Sequence, residues 1–181
     1  MSPGTRDRIL DALETLLLER GAAQMTLDNV AAAAGVSKGG LLYHFKSKDA
    51  LLVGLVHRLS ERVGTQLGEA RASGTPVAEW YLQTPDPTVP DDAVELALYR
   101  SLLATMRTID ASAGSEPDEV QRALDATMTA WSDDLETEVD DPVRADTIRL
   151  VGDGVYLRAL LGLSQIEPAR YRAVVDRLLE H

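Results

Sequence analysis

The sequence predicts an all-α protein made of a small N-terminal three-helix helix-turn-helix domain and a larger C-terminal helical domain. Apolar residues recur at helical spacing along most of the 181 residues, and no stretch alternates with period two over a useful length. Pro117, Pro142 and Pro168 each stand near an expected helix start, where a missing N–H costs least. Between Leu27 and Lys48, two short helical runs meet at a three-residue Gly35-Val36-Ser37 turn.

Taken in order, Thr5–Arg20 reads as an amphipathic helix with Ile9, Leu13, Leu16 and Leu17 on one stripe and Gly21 as its stop. Thr26 caps a second helix that turns Leu27, Val30, Ala31 and Ala34 inward, and Gly35 supplies the positive φ of a sharp turn. Ser37 caps a third helix, Lys38–Phe45, pinned by Leu41 and Phe45. Ser47 caps a long fourth helix, Lys48–Ala72, with Leu51, Leu52, Leu55, Val56, Leu59 and Val63 on its buried side. Gly64 and Gly68 weaken its second half by about 1 kcal/mol each relative to Ala.

Ser73-Gly74-Thr75-Pro76 breaks the pattern, a short helix Val77–Gln83 follows, and Thr84–Pro90, with three prolines, reads as a surface loop. The remaining helices are expected at Asp91–Ala111, Pro117–Asp140, Pro142–Gly162 and Pro168–Glu180. The expected division of the chain is 1–47 for the helix-turn-helix and 48–181 for the rest.

The composition is that of a globular chain, 45% apolar, with a net charge of −11. That charge is unevenly placed: residues 1–55 carry six basic and six acidic side chains, so the whole deficit lies beyond them. No acid stands between Asp28 and Asp49, and Lys38, Lys46 and Lys48 are the only lysines in the sequence. An acidic surface repels a polyanion, so nucleic-acid binding is confined to this window. The absence of cysteine excludes disulfides, thiolate metal sites and cysteine nucleophiles. With no apolar run of bilayer length and no basic-then-apolar signal, a cytoplasmic location without membrane partners is expected.

In a helix-turn-helix the second helix lies in the major groove, its N-terminal residues meeting base edges while flanking groups hold phosphates. Ser37 and Lys38 stand at the leading end, where the helix dipole favours phosphate; Lys38 also suits guanine O6 and N7. Tyr43 and His44 stand toward the trailing end, Lys46 and Lys48 add positive charge, and Thr26 adds a hydroxyl from the other side. Gly39-Gly40 trades helix stability for close approach of backbone to DNA, which points to partial dependence on DNA shape.

Read together, Ile9 to Leu52 resembles the DNA-binding domain of the TetR family of bacterial transcriptional regulators. The resemblance rests on Ile9-Leu10-Asp11-Ala12, Gly21, Met25-Thr26-Leu27, Val30-Ala31, Ala34-Gly35-Val36-Ser37-Lys38-Gly39, Leu41, Tyr43-His44-Phe45 and Ser47-Lys48-Asp49-Ala50-Leu51. Leu42 and Gly40 depart from it, standing where the family commonly has a DNA-touching tyrosine and a threonine or other small residue. The resemblance implies phosphate contacts at Thr26, Tyr43, His44 and Lys48. It also implies a homodimer on a palindromic double-stranded operator, with C-terminal domains that dimerise and enclose a small-molecule pocket.

The C-terminal sequence permits this. Helix Pro142–Gly162 carries apolar stripes at Ile148, Val151 and Val155, at Leu150, Leu157 and Leu161, and at Tyr156, Leu160 and Leu163. With Tyr171, Val174, Val175, Leu178 and Leu179 of the last helix, it suits a four-helix interface between two copies. Trp80, Tyr81, Tyr99, Met106, Met128, Trp131 and Tyr156 are candidates to line a cavity for an apolar or aromatic effector, although each singly also suits an ordinary core.

The acids Asp133, Asp134, Glu136, Glu138, Asp140 and Asp141 read as a solvated helix end rather than a metal site, and Gly152-Asp153-Gly154 reads as close helix packing. His44, His57 and His181 fall in no metal or nucleophile spacing, so neither an enzyme, a cofactor nor a metal is expected. The expected function is a ligand-responsive transcriptional regulator, a repressor released from its operator by a small molecule. The alternative, a helical protein-interaction adaptor, accounts for the acidic half but not for the clustered lysines.

Overall fold

The structure, a computed structural model, describes residues 4–109 and 119–180, the side chains of 106–109 excepted. Among the described residues it is helical throughout: α1 (Thr5–Arg20), α2 (Leu27–Ala34), α3 (Lys38–His44), α4 (Lys48–Ala72), α5 (Val77–Tyr81), α6 (Pro90–Ile109), α7 (Glu119–Glu138), α8 (Pro142–Leu160) and α9 (Pro168–Leu179), with a 3-10 turn at Ala22–Gln24. No helix among these residues is long and apolar enough to cross a membrane.

The chain divides into two compact units, Met1–Leu59 with Ala97–Asp125, and Ser60–Leu96 with Ala126–His181. In the first, Ile9, Leu10, Leu13 and Leu17 of α1 are buried with Val30 of α2, Leu41 of α3 and Phe45. Leu51, Leu52 and Leu55 of α4 join this core, as do Leu98, Leu102 and Val120 from α6 and α7. The apolar stripe expected on α1 is therefore the one buried.

A second tie holds α1 to α4. The Arg58 side chain, 16% exposed, forms ion pairs with Asp7, Asp11 and Glu14 and donates to the Asp7 carbonyl at 3.2 Å. Burial lowers the Arg58 pKa, but the hydrogen bond and charge of Asp11, with Glu14, outweigh it, so the guanidinium sits above its ordinary value.

In the second unit Leu67, Val77, Ala78, Leu82, Leu135, Val139, Ala145 and Ile148 are buried together. Helix α5 stops at Tyr81, two residues before the expected end. The Tyr171 hydroxyl donates to the Leu82 carbonyl at 2.6 Å, giving that acceptor a partner outside the helix. The expected start of α7 at Pro117 and the end of α6 at Ala111 lie outside the described residues.

Gly152 is a packing residue. A Cβ there would lie 2.5 Å from the Tyr81 carbonyl oxygen and 2.6 Å from the Tyr81 ring, so only glycine lets α8 approach α5 this closely. A Cβ at Gly154 would meet nothing within 4 Å, so of the two glycines in the Gly152-Asp153-Gly154 run only Gly152 has the expected packing role.

The acidic run is also more structural than a solvated helix end. Glu138 accepts from the backbone N–H groups of Val77 (2.7 Å) and Ala78 (3.0 Å), Asp134 pairs with Arg71 at 2.9 Å, and Asp141 caps α8 by accepting from Val143 N–H at 3.0 Å. Among the described residues no group of three or more His, Asp or Glu side chains is arranged to hold a metal ion.

Candidate nucleic-acid interface

The turn between α2 and α3 is built from local signals. Gly35 takes φ +65°, its N–H bonds the Ala32 carbonyl, and the Val36 N–H reaches the Ala31 carbonyl at 3.0 Å, closing α2 in a left-handed cap. Three hydroxyls then start three helices: Thr26 accepts from Asn29 N–H (3.2 Å), Ser37 from Gly40 N–H (3.0 Å) and Ser47 from Ala50 N–H (3.0 Å). A hydroxyl that accepts a capping bond keeps its own hydrogen to donate elsewhere.

On α3 the side chains separate by face. Leu41 is fully buried and Leu42 half-buried, while Lys38, Tyr43 and His44 are exposed. Tyr43 is 83% exposed and meets the His44 ring edge-on, with centroids 5.2 Å apart. An aromatic so open contributes nothing to the core. Thr26, Ser37, Gly39 and Lys46 are exposed as well, and Gly40 and Lys48 are partly so. All nine expected interface residues thus have some surface open to a partner.

Two features of this surface were not foreseen. Lys38 is paired with Asp28, Nζ to Oδ2, at 3.0 Å. The Arg6 guanidinium lies 5.2 Å from the centre of the Phe45 ring, and Arg6, His44, Lys46 and His57 border a cleft of about 410 Å³ beside it. The sequence signals for both were weak: one acid just before an acid-free window, and one arginine in the first turn of α1.

The expected effector residues are dispersed. Tyr99 packs against the core of the first unit, and the Met106 side chain lies outside the described residues. Trp80, Tyr81, Met128, Trp131 and Tyr156 belong to the second unit. Trp80 and Tyr81 pack edge-to-face at 6.4 Å, and Met128 is 39% exposed. The Tyr81 hydroxyl donates to Asp153 at 3.1 Å and the Tyr156 hydroxyl to Glu95 at 2.9 Å. Burial, reinforced by the Asp153 charge, pushes the Tyr81 phenol well above its ordinary range, and burial also raises the Asp153 carboxyl.

Comparison with known proteins agrees with this architecture. Residues 9–55 match the model of bacterial regulatory proteins of the tetR family, and residues 75–181 match the tetracyclin repressor-like C-terminal domain. An uncharacterized HTH-type transcriptional regulator of Mycobacterium tuberculosis is 41% identical over 61 residues, 34% of this chain. That match spans 30% of the relative's own length. A TetR-family member from Streptomyces coelicolor A3 superposes with a TM-score of 0.75 at 25% identity, covering 99% of this chain and 100% of its own. The multidrug binding protein EbrR, in complex with ethidium, shares the fold with a TM-score of 0.70 at 24% identity over 99% of this chain and 100% of its own. With a helix-turn-helix and a C-terminal helical domain both matched, the chain belongs to the TetR family of bacterial regulatory proteins.

Proposed function

We infer that this protein is a ligand-responsive DNA-binding transcriptional regulator, a repressor that leaves a palindromic operator when a small molecule binds. The observation that carries the reading is the exposed set of Thr26, Ser37, Lys38, Tyr43, His44 and Lys46 around one helix-turn-helix in a chain whose net negative charge lies beyond residue 55. Thr26 and Ser37 donate hydroxyl hydrogens to phosphate, Tyr43, His44, Lys46 and Lys48 hold the backbone on either side, and Gly39-Gly40 lets α3 approach the groove. Residues 1–47, with Lys48 at the start of α4, read the DNA, and the rest of residues 48–181 serves the effector and dimerisation.

Two half-sites need two recognition helices, and α8 offers the surface that joins two copies. Val143, Leu150 and Leu157, seven residues apart, are 72%, 68% and 50% exposed, and Leu161 is 54% exposed. Seven residues is close to two helical turns, so these side chains form one apolar line. The partly buried Val174, Val175, Leu178 and Leu179 of α9 complete a four-helix interface. The effector is apolar or aromatic, held by some of Trp80, Tyr81, Tyr99, Met106, Met128, Trp131 and Tyr156. Ethidium binding by EbrR supports an aromatic ligand class. Such a ligand releases DNA only by binding the non-operator conformation more tightly.

The test is selection of bound sequences from random double-stranded DNA at moderate salt. The expected product is a dyad-symmetric site with half-sites repeating at about one helical turn, ~34–36 Å, or a multiple. Enrichment of no dyad refutes the reading.

A further inference from the structure

We propose that Asp28 and Lys38 act as one base-reading element that recognises a single G·C pair in each half-site. The inference rests on the DNA-binding reading above. Lys38 begins α3 and Asp28 stands in the first turn of α2, and the two side chains meet at 3.0 Å while remaining 56% and 68% exposed. The pair therefore faces outward at the leading end of the recognition helix, where base edges are met.

The carboxylate changes what the lysine does. An ammonium neutralised by an adjacent carboxylate has little net charge to attract a phosphate, and the carboxylate itself repels one. What remains is a donor beside an acceptor, both still open to a partner. Lys38 keeps two of its three N–H donors, and Asp28 keeps its second oxygen.

In the major groove a G·C pair presents the acceptors N7 and O6 on guanine and the N4 donor on cytosine. O6 and N4 are hydrogen-bonded to each other at about 2.9 Å, close to the Nζ–Oδ2 separation. Lys38 over O6 and N7, with Asp28 over N4, satisfies every group on that edge. An A·T pair offers a donor and an acceptor at similar spacing, but its acceptor O4 stands beside the thymine methyl and its N7 lies on the donor side. The ammonium then meets one acceptor instead of two.

The neighbouring residues leave the pair unobstructed. Gly39 and Gly40 carry no side chain, and a Cβ at Gly39 would meet only Ser37 Oγ, at 3.9 Å. Leu41 points into the core.

The experiment uses the 181-residue chain. The selection described above is run on the wild type, and binding is then measured by fluorescence anisotropy on the selected site and on its single-pair substitutions. A G·C pair is expected at one position of each half-site, and its replacement by A·T should weaken the wild type about tenfold. Asp28→Ala, which removes the acceptor, and Lys38→Gln should each reduce that discrimination to about twofold, with little further loss in the double variant. Circular dichroism should show unchanged helicity, since both positions are exposed. Full discrimination in Asp28→Ala overturns the proposal. So does Lys38→Gln weakening all sequences alike while lowering the salt slope by about one, the signature of a phosphate contact. An enriched dyad insensitive to both substitutions sinks the pair alone, whereas no enriched dyad sinks the regulator reading and the pair with it.

Discussion

Glu138, near the end of α7, caps a helix that begins 61 residues earlier: its carboxylate accepts from the Val77 N–H at 2.7 Å and from the Ala78 N–H at 3.0 Å. Pro76, at the N-cap of α5, has no side-chain acceptor for these donors. Glu138→Ala should destabilise the protein by about 1 kcal/mol, the usual worth of a cap. Glu138→Gln, which keeps one acceptor oxygen, should lose less. Urea unfolding of the three proteins checks the order.

Asp153 gives the second unit a pH dependence. Burial raises its carboxyl pKa against the opposing Tyr81 hydrogen bond and Arg149 charge. A carboxyl with a raised folded-state pKa favours the fold below its ordinary value, and that contribution is lost as pH rises through the folded value. Asp153→Asn keeps an acceptor for the Tyr81 hydroxyl and removes the half-buried charge. Its Tm should exceed that of the wild type at pH 7, with the gap closing as pH falls through the weakly acid range. A gap that widens on acidification contradicts this assignment.

Lys48 has no part in the Asp28 pair and opens α4 with its charge partly exposed. Lys48→Ala should weaken binding to every DNA sequence similarly and lower the salt slope by about one. Titrations at several salt concentrations measure this directly, and an unchanged slope removes Lys48 from the phosphate contacts.

Leu157 is half exposed in the single chain on the outer line of α8. Leu157→Glu should leave the helical content unchanged and convert the proposed dimer to monomer in sedimentation, with loss of binding to a dyad site. A dimer that survives this substitution places the interface elsewhere.

What was legible in the sequence was whatever neighbouring residues determine. Thr26, Ser37 and Ser47 are caps because each has a free helix N–H three residues ahead, and Gly35 is a turn because of its own φ. The turn between α2 and α3 could be read for the same reason. The remainder depends on partners distant in the chain. Arg58 reads as one more cation on a long helix until α1 folds back to bring Asp7, Asp11 and Glu14 to it. Tyr171 reads as an interface aromatic until its hydroxyl meets the Leu82 carbonyl. Helical spacing at Leu150 and Leu157 shows an apolar line but not which body covers it, and in the single chain that line faces outward.

The two hydroxyl caps that flank the turn, Thr26 and Ser37, restrict which residues suit those positions. Aspartate starts a helix as well as serine does, but it accepts without donating and brings a negative charge to the face proposed to meet phosphate. Alanine leaves the charge unaltered and loses the cap. A hydroxyl closes the helix with its lone pair and keeps its hydrogen to offer outward, so in the proposed complex the same two oxygens serve folding and DNA affinity. Exchanging serine for aspartate there should separate the two, leaving a protein that folds normally and no longer holds its operator.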